Sequence, residues 1–463
     1  MTAPTLKPVA GETIVGTDGN ELLIGGAVPI PPPPSRLRRW IRRLTEFFVG
    51  QTLIQMLGVL TGFLMIRWLS VTDYAQYTLA NGFQNSVIIL VELNLGASIV
   101  ALVGDRGHDR NVVGSFIRSV RHYRDRFFLL ALPIVLITFP ILTAKQGWPL
   151  SVTITLIGAV LMSLYFQSWC SYYSSALVIR QELAGYYRSP ALLGVARLAV
   201  SLVLCFCSVL TAGLAAWINT LSTVVLGIVY RKQSKPFVSE PESTDPERNK
   251  EVWQYIRPMI PNALFLAFQG QINVFLISIF GHSQNLAEVG ALGRLSQIFI
   301  LLNAFCSVII EPAAARSSRE QLPKRYILSA LGATAFSALM VLGVHLFPSP
   351  VLWVLGDKYA HLTSEVTISI ATSCVVFVNA VVWAVHSGRK WIFPWGIWAN
   401  IVVVITIQVI GAMYFDLSST KQILVLALVT ATATLVIALF WGLYGFLVFE
   451  PLKKRPAEAS IEG

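Results

Sequence analysis

Charge is scarce in this chain. Only 13% of its 463 residues are Asp, Glu, Lys or Arg, while 55% are hydrophobic, and a soluble domain carries about 25% charged residues. That balance excludes soluble enzymes and disordered proteins. Acidic residues are the scarcer sign, 24 against 35 Lys and Arg, a formal charge of +11. In so apolar a chain the excess is read first as a topology signal, and nucleic acid need not be invoked. Cysteine is rare: Cys170, Cys205, Cys207, Cys306 and Cys374 all lie in apolar segments without a disulfide framework or a CxxC metal pattern. They are expected to be small core residues. Catalytic motifs are missing too, with no Walker A loop, no HExxH and no paired carboxylates in a soluble stretch. ATP hydrolysis within this chain is thereby excluded, and the reading is a non-enzyme without cofactor or metal. The six histidines are scattered, and only His345 and His386 fall near apolar runs.

What is present is apolar sequence in lengths of about 20 residues, enough for a helix to cross a bilayer. Windows bounded by Pro, Gly and charge predict twelve spans, near 44–67, 75–103, 127–144, 150–178, 190–209, 212–230, 258–280, 288–310, 326–347, 363–387, 393–415 and 422–448. Residues 1–35 are polar and Gly-rich, end in Pro31 to Pro34, and read as a disordered cytoplasmic tail without a secretory signal peptide. With that tail in the cytoplasm, 29 Lys and Arg fall inside and only Lys145, Lys358 and Lys421 fall in outer loops. Both termini are therefore expected in the cytoplasm. The longest outer connection, Pro348 to Leu362, has about 15 residues, too few for a folded ectodomain.

The most polar internal stretch, Arg231 to Arg257, follows the sixth span and reads as a cytoplasmic linker. The expected organisation is a tail at 1–35, a six-helix lobe at 36–231 with an interfacial helix, a linker at 232–256, a second six-helix lobe at 257–448, and a tail at 449–463. An offset of 215 residues superposes Asp73-Tyr74-Ala75 on Glu288-Val289-Gly290, a weak parallel repeat of the kind that relates transporter lobes. The fold class is thus an all-α integral membrane protein of about twelve helices in two lobes.

Polar side chains inside the spans are the informative minority, because each is costly unless it faces protein or a wet cavity. Gln51, Gln55, Gly58 and Gly62 share a face of the first span. Tyr77, Asn81, Gln84, Asn85 and Glu92 share one in the second by helical spacing. Asn262, Gln269 and Asn273 do so in the seventh, and Arg294, Gln297 and Glu311 in the eighth. Interhelical hydrogen bonding accounts for any one amide. Four such stripes, concentrated in the first two spans of each lobe, suit a hydrated passage for hydroxyl-rich cargo.

Three arginines lie within or at the edge of spans: Arg67, Arg197 and Arg294. Topology does not require the last two, and a guanidinium in a restricted cavity would bind an anion such as a lipid diphosphate; an intramembrane ion pair or a snorkelled side chain is the structural alternative. Glu92, the deepest carboxylate of the first lobe, is a candidate for ion coupling or a structural partner of a nearby Arg or amide. Two stretches read as amphipathic and drawn to anionic phospholipid: Leu37, Trp40, Ile41 and Leu44 among arginines, and Phe116, Val120, Tyr123 and Phe127 among Arg118, Arg121, Arg124 and Arg126.

Arg67-Trp68-Leu69, followed by Asp73-Tyr74-Ala75-Gln76-Tyr77, resembles the first outer turn of the Wzx-type polysaccharide flippases of the multidrug/oligosaccharidyl-lipid/polysaccharide exporter superfamily. The resemblance continues in Glu92 to Gly96, in Glu288-Val289-Gly290 with Arg294-Leu295, in Glu311-Pro312, and in Val354-Leu355-Gly356-Asp357-Lys358-Tyr359. Ala75, Glu92 and Asn94 depart from the family pattern, which has glycine, aspartate and glycine there. The resemblance implies a MATE-like bundle that opens alternately to either face and carries an undecaprenyl-diphosphate-linked oligosaccharide outward across a bacterial inner membrane. Substrate contacts would come from Arg197, Arg294, Arg67, Asn81, Gln84, Asn85, Gln269, Asn273 and Gln297. The implied partners are the lipid-linked oligosaccharide, membrane lipids and polysaccharide polymerase or export machinery. A cation-coupled drug exporter of the same superfamily is the alternative within transport, and a membrane-embedded glycan transferase or ligase the alternative from another class.

Overall fold

The computed structural model describes residues 36–93, 95–391 and 394–448. Expectations for the tails at 1–35 and 449–463, for Asn94, and for the side chains of the 36–44 amphipathic stretch fall outside the described residues.

The described residues are helical apart from short connections, with no strand among them. The first half runs α1 (Arg36–Trp68), α2 (Val71–Glu92), α3 (Leu95–Val103), α4 (Arg110–Lys145), α5 (Leu150–Ile179), α6 (Leu183–Phe206) and α7 (Ala212–Ser234). After α8 (Pro246–Ile256), the second half runs α9 (Ile260–Gln269), α10 (Ile272–Phe280), α11 (Ser283–Leu295), α12 (Phe299–Phe305), α13 (Glu311–Ala315), α14 (Leu322–Leu346), α15 (Pro348–Leu355), α16 (Thr363–Gly388), α17 (Pro394–Tyr414) and α18 (Thr420–Val448). Ten of these stretches are long and apolar enough to cross a bilayer, and the bent pair Pro246–Gln269 and Ile272–Phe280 makes an eleventh. This is a multi-pass membrane protein.

Three expected spans are not single straight helices. The second is divided where Leu93 turns left-handed (φ 38°) and its N–H bonds Ile89 O, ending α2. The seventh is bent by 49° between Gln269 and Ile272, where Gly270 leaves helix geometry soft. The eighth, expected at 288–310, is a succession of α11, a 3₁₀ turn at Ser296–Ile298, α12, a π turn at Cys306–Ile310 and α13. Such interruptions free backbone groups and are tolerated at membrane depth only where the segment lines a cavity or packs against protein.

In the first half α5 packs along α7, with α2, α3, α4 and α6 around them; in the second α16 packs along α14 and α18. The 215-residue repeat has a structural counterpart. Asp73 Oδ1 accepts a hydrogen bond from Ala212 N at the start of α7 (3.1 Å), and Glu288 Oε2 accepts one from Thr420 Oγ1 at the start of α18 (2.6 Å). In each half, then, the acid near the start of one helix holds the N-terminus of the last, where a negative charge complements the helix dipole.

The Phe116–Phe127 stretch corrects the sequence reading. It is the first part of α4 and faces protein: Phe116 and Val120 are buried with Val252 and Ile256 of α8, and Tyr123 stacks on Trp253 (5.6 Å). Arg124 is 1% exposed, its guanidinium 4.4 Å from the Tyr165 ring, bonded to Tyr165 O and paired with Asp125. A repeat of aromatic and basic residues is the same on a lipid-facing helix as on one covered by a neighbour. Here α8 supplies the cover.

Candidate functional site

A polar cavity of about 530 Å³ lies between the two halves, within the range of small-molecule sites. From α1 it takes Gln55, Gly58 and Gly62, near the middle of the apolar stretch Val49–Trp68. From α2 come Tyr77, Asn81 and Asn85, successive turns of one face. The break after α9 brings Gln271 and Asn273 to the wall, and the broken eighth segment brings Arg294, Ser296 and Gln297. Arg197 of α6 and Asn219 of α7 close it on the first-half side, and Ser369, Thr372 and Ser373 of α16 on the other.

Arg197 donates from Nη1 to Asn219 Oδ1 at 2.8 Å, while its Nε is buried with no partner among the described residues. Arg294 sits 5.8 Å from the Tyr77 ring, with Tyr74 also beside it. The two guanidiniums come from different halves and are close enough to interact electrostatically. No Asp, Glu, Lys or His is among the described residues that line the cavity. Two cations facing one polar space without a carboxylate can accept an anion, and the amides and hydroxyls around them can hydrogen-bond a polar, neutral group.

The structure brings together six of the ten residues singled out from sequence: Arg197, Arg294, Asn81, Asn85, Asn273 and Gln297. The other four lie elsewhere. Gln84 turns away from Asn85 and donates to Ser163 Oγ of α5 (2.8 Å). Gln269 accepts from Gln408 of α17 (2.8 Å). Glu92 is two helical turns beyond Asn85, inside the first half beside Ser171 and Arg124, with Oε1 buried and unpartnered among the described residues. Arg67 donates to Trp353 O (2.9 Å) and lies 4.7 Å over the Trp353 ring, outside the cavity. Asn219, Gln271 and the serines and threonines of α16 carry no mark in the sequence, because a lone amide or hydroxyl in a span signals nothing until its neighbours are known.

One end of the cavity is closed by contacts between the halves. Lys358 donates to Arg67 O and Leu69 O, and Arg67 grips Trp353. Gln146 donates to Ser278 O and Gly281 O (2.9 and 3.0 Å), and Trp148 Nε1 donates to Ser283 Oγ (3.0 Å). The turn that carries Lys358 begins at Gly356 (φ +97°), a conformation that favours glycine, and is held by His361 against Glu288 (3.0 Å). Below this closure Gly290 packs so tightly on Thr78 that a side chain there would collide with it.

No protein-family model matches the chain, and no curated protein matches it in sequence. Solved structures resemble it in fold. An inward-facing multidrug resistance MATE-family transporter of the MOP superfamily matches with TM-score 0.63 and 13% identity, over 89% of this chain and 99% of its own. The lipid II flippase MurJ in an inward closed conformation matches with TM-score 0.59 and 11% identity, over 87% of this chain and 90% of its own. An outward-facing MATE-family transporter matches with TM-score 0.52 and 14% identity, over 89% and 96%. The fold is therefore the MATE-like fold shared by these MOP-superfamily transporters.

Proposed function

We propose that the protein is an alternating-access flippase that moves a lipid-diphosphate-linked oligosaccharide from the cytoplasmic to the outer leaflet of a bacterial inner membrane, for surface or secreted polysaccharide. The observation that carries this reading is the pairing of Arg197 and Arg294, one from each half, in a cavity whose described lining holds no carboxylate. A cation-coupled drug exporter would need acids there to exchange a cation for a cationic drug. The diphosphate would meet the guanidiniums, the sugar the amide and hydroxyl walls, and the lipid chain would stay in the bilayer. Transfer of sugar hydroxyls through hydrocarbon is otherwise prohibitive.

In this reading the closed end faces outward, which the excess of 29 inner over 3 outer Lys and Arg supports. The greater likeness to the inward-facing than to the outward-facing transporter, TM-score 0.63 against 0.52, agrees with that state. Both termini would then be cytoplasmic, with polymerase or export machinery as partners. Glu92 lies outside the cavity, so any coupling role would act through the packing of the first half. Arg67 serves the closure, and Gln84 and Gln269 tie helices within their own halves.

Deleting the gene tests this reading. One surface or secreted glycan should disappear while its lipid-linked repeat unit builds up on the cytoplasmic leaflet, and neither Arg197→Ala nor Arg294→Ala should restore it although both reach the membrane. A deletion strain with normal glycans and new sensitivity to cationic dyes would overturn the reading in favour of the drug exporter.

A further inference from the structure

The two guanidiniums each lie against a glycine of α1, Arg197 at Gly58 and Arg294 at Gly62. A Cβ on Gly58 would lie 4.0 Å from Arg197 Nη2, and one on Gly62 would lie 3.4 Å from Arg294 Cδ, 3.6 Å from Nη1 and 3.7 Å from Nε. The two positions are four residues apart, one turn on the same face, a rise of about 6 Å. Each arginine is held from another direction, Arg197 by Asn219 and Arg294 beside Tyr74 and Tyr77. Bare backbone on α1 therefore leaves both guanidiniums free to turn toward one ligand.

We propose that Gly58 and Gly62 determine the headgroup that the cavity selects: by leaving Arg197 and Arg294 uncovered one helical turn apart, they let the two arginines engage both phosphates of a single diphosphate. This inference rests on the anion-binding reading of the cavity. The physical basis of selectivity is linkage. A diphosphate that binds one guanidinium presents its second phosphate to the other at high effective concentration, whereas an orthophosphate engages them one at a time. Charge-assisted, bidentate contacts at both ends then separate the two ligands. A methyl at Gly62 stays in ordinary contact with Arg294, but a longer side chain takes the space in which the guanidinium lies. The cavity would then keep one working arginine and lose its preference.

The test uses the purified full-length protein, titrated with inorganic pyrophosphate and with orthophosphate while ligand-induced stabilisation is followed. The wild type should prefer pyrophosphate by roughly tenfold or more. Gly62→Ala should keep that preference. Gly62→Leu and Gly58→Leu should lose most of it, chiefly through weaker pyrophosphate binding. Gly332→Leu, at a position in α14 with open space around it, controls for the cost of the substitution itself. In an Arg294→Ala background Gly62→Leu should have no further effect, a result that general destabilisation would not give. Should the leucine variants not purify, Gly62→Met offers a more pliable side chain for the same measurement. Unchanged pyrophosphate preference in a folded Gly62→Leu or Gly62→Met variant would overturn the role of the glycines. Wild-type protein that binds neither anion, or binds them independently of Arg197 and Arg294, would overturn the anion reading itself.

Discussion

Lys358 of the second half donates to the carbonyl oxygens of Leu69 (2.7 Å) and Arg67 (3.1 Å), capping the end of α1 in the first half. The last carbonyls of a helix carry partial negative charge and have no partner within it, so an ammonium from the other half both satisfies and neutralises them. Closure at this end is thus written into a helix terminus.

Lys358→Ala should loosen that closure. Lys358 is exposed, which limits the contribution to about 1 kcal/mol, roughly a fivefold shift in the closed population. In a cysteine-replaced background, a cysteine at Asn81 in the cavity should react severalfold faster with an impermeant maleimide added from that side. An unchanged rate would show that the Gln146 and Trp148 contacts suffice alone.

Asn219→Ala should weaken anion binding without removing a charge. Its Oδ1 fixes Arg197 Nη1 at 2.8 Å, and an arginine released from that bond must be ordered again by the ligand. An affinity loss of roughly three- to tenfold is expected, with Asn219→Asp worse than Ala as carboxylate and ligand compete for one cation. Equal binding by all three proteins would dismiss Asn219 as a positioning residue.

The segment between the halves should move with the first half. Tyr173 donates to Glu240 (2.7 Å), Ser239 N donates to Arg110 O (3.1 Å), Arg118 donates to Glu242 O (3.0 Å), and Val252 and Ile256 are fully buried. Joining cysteines at Tyr123 and Trp253 with a short crosslinker should therefore leave transport intact. Loss of transport on crosslinking would mean that α8 separates from α4 during the cycle.

Arg124→Ala should lower stability by about 2–3 kcal/mol, because the side chain is buried against Tyr165 and Phe128 and supplies packing as well as charge. Thermal unfolding in detergent measures it. A melting temperature equal to that of the wild type would rule out a structural role for this arginine.

Orientation can be read by labelling. Cysteines at Ala360 and Lys421 should react with an impermeant maleimide outside intact spheroplasts, and one at Ser243 should not, all three positions being exposed. Labelling at Ser243 alone would reverse the topology.

The amino-acid sequence alone establishes that the chain is a helical membrane protein, how many apolar stretches it has to within one or two, and that Arg197 sits inside one of them. Those are properties of composition and run length, which the bilayer reads directly. It also marked Tyr77, Asn81 and Asn85 as one face, since helical periodicity is local. Only packing decided that Gln84 leaves that face for Ser163, and that Arg67 meets Trp353 while Arg197 and Arg294 line one cavity. It also decided that α4 is covered by α8. A side chain's spacing along its own helix says nothing about which helix stands opposite. Partners separated by 286 residues, as Arg67 and Trp353 are, or by 97, as the two cavity arginines are, become neighbours only once the two halves have packed.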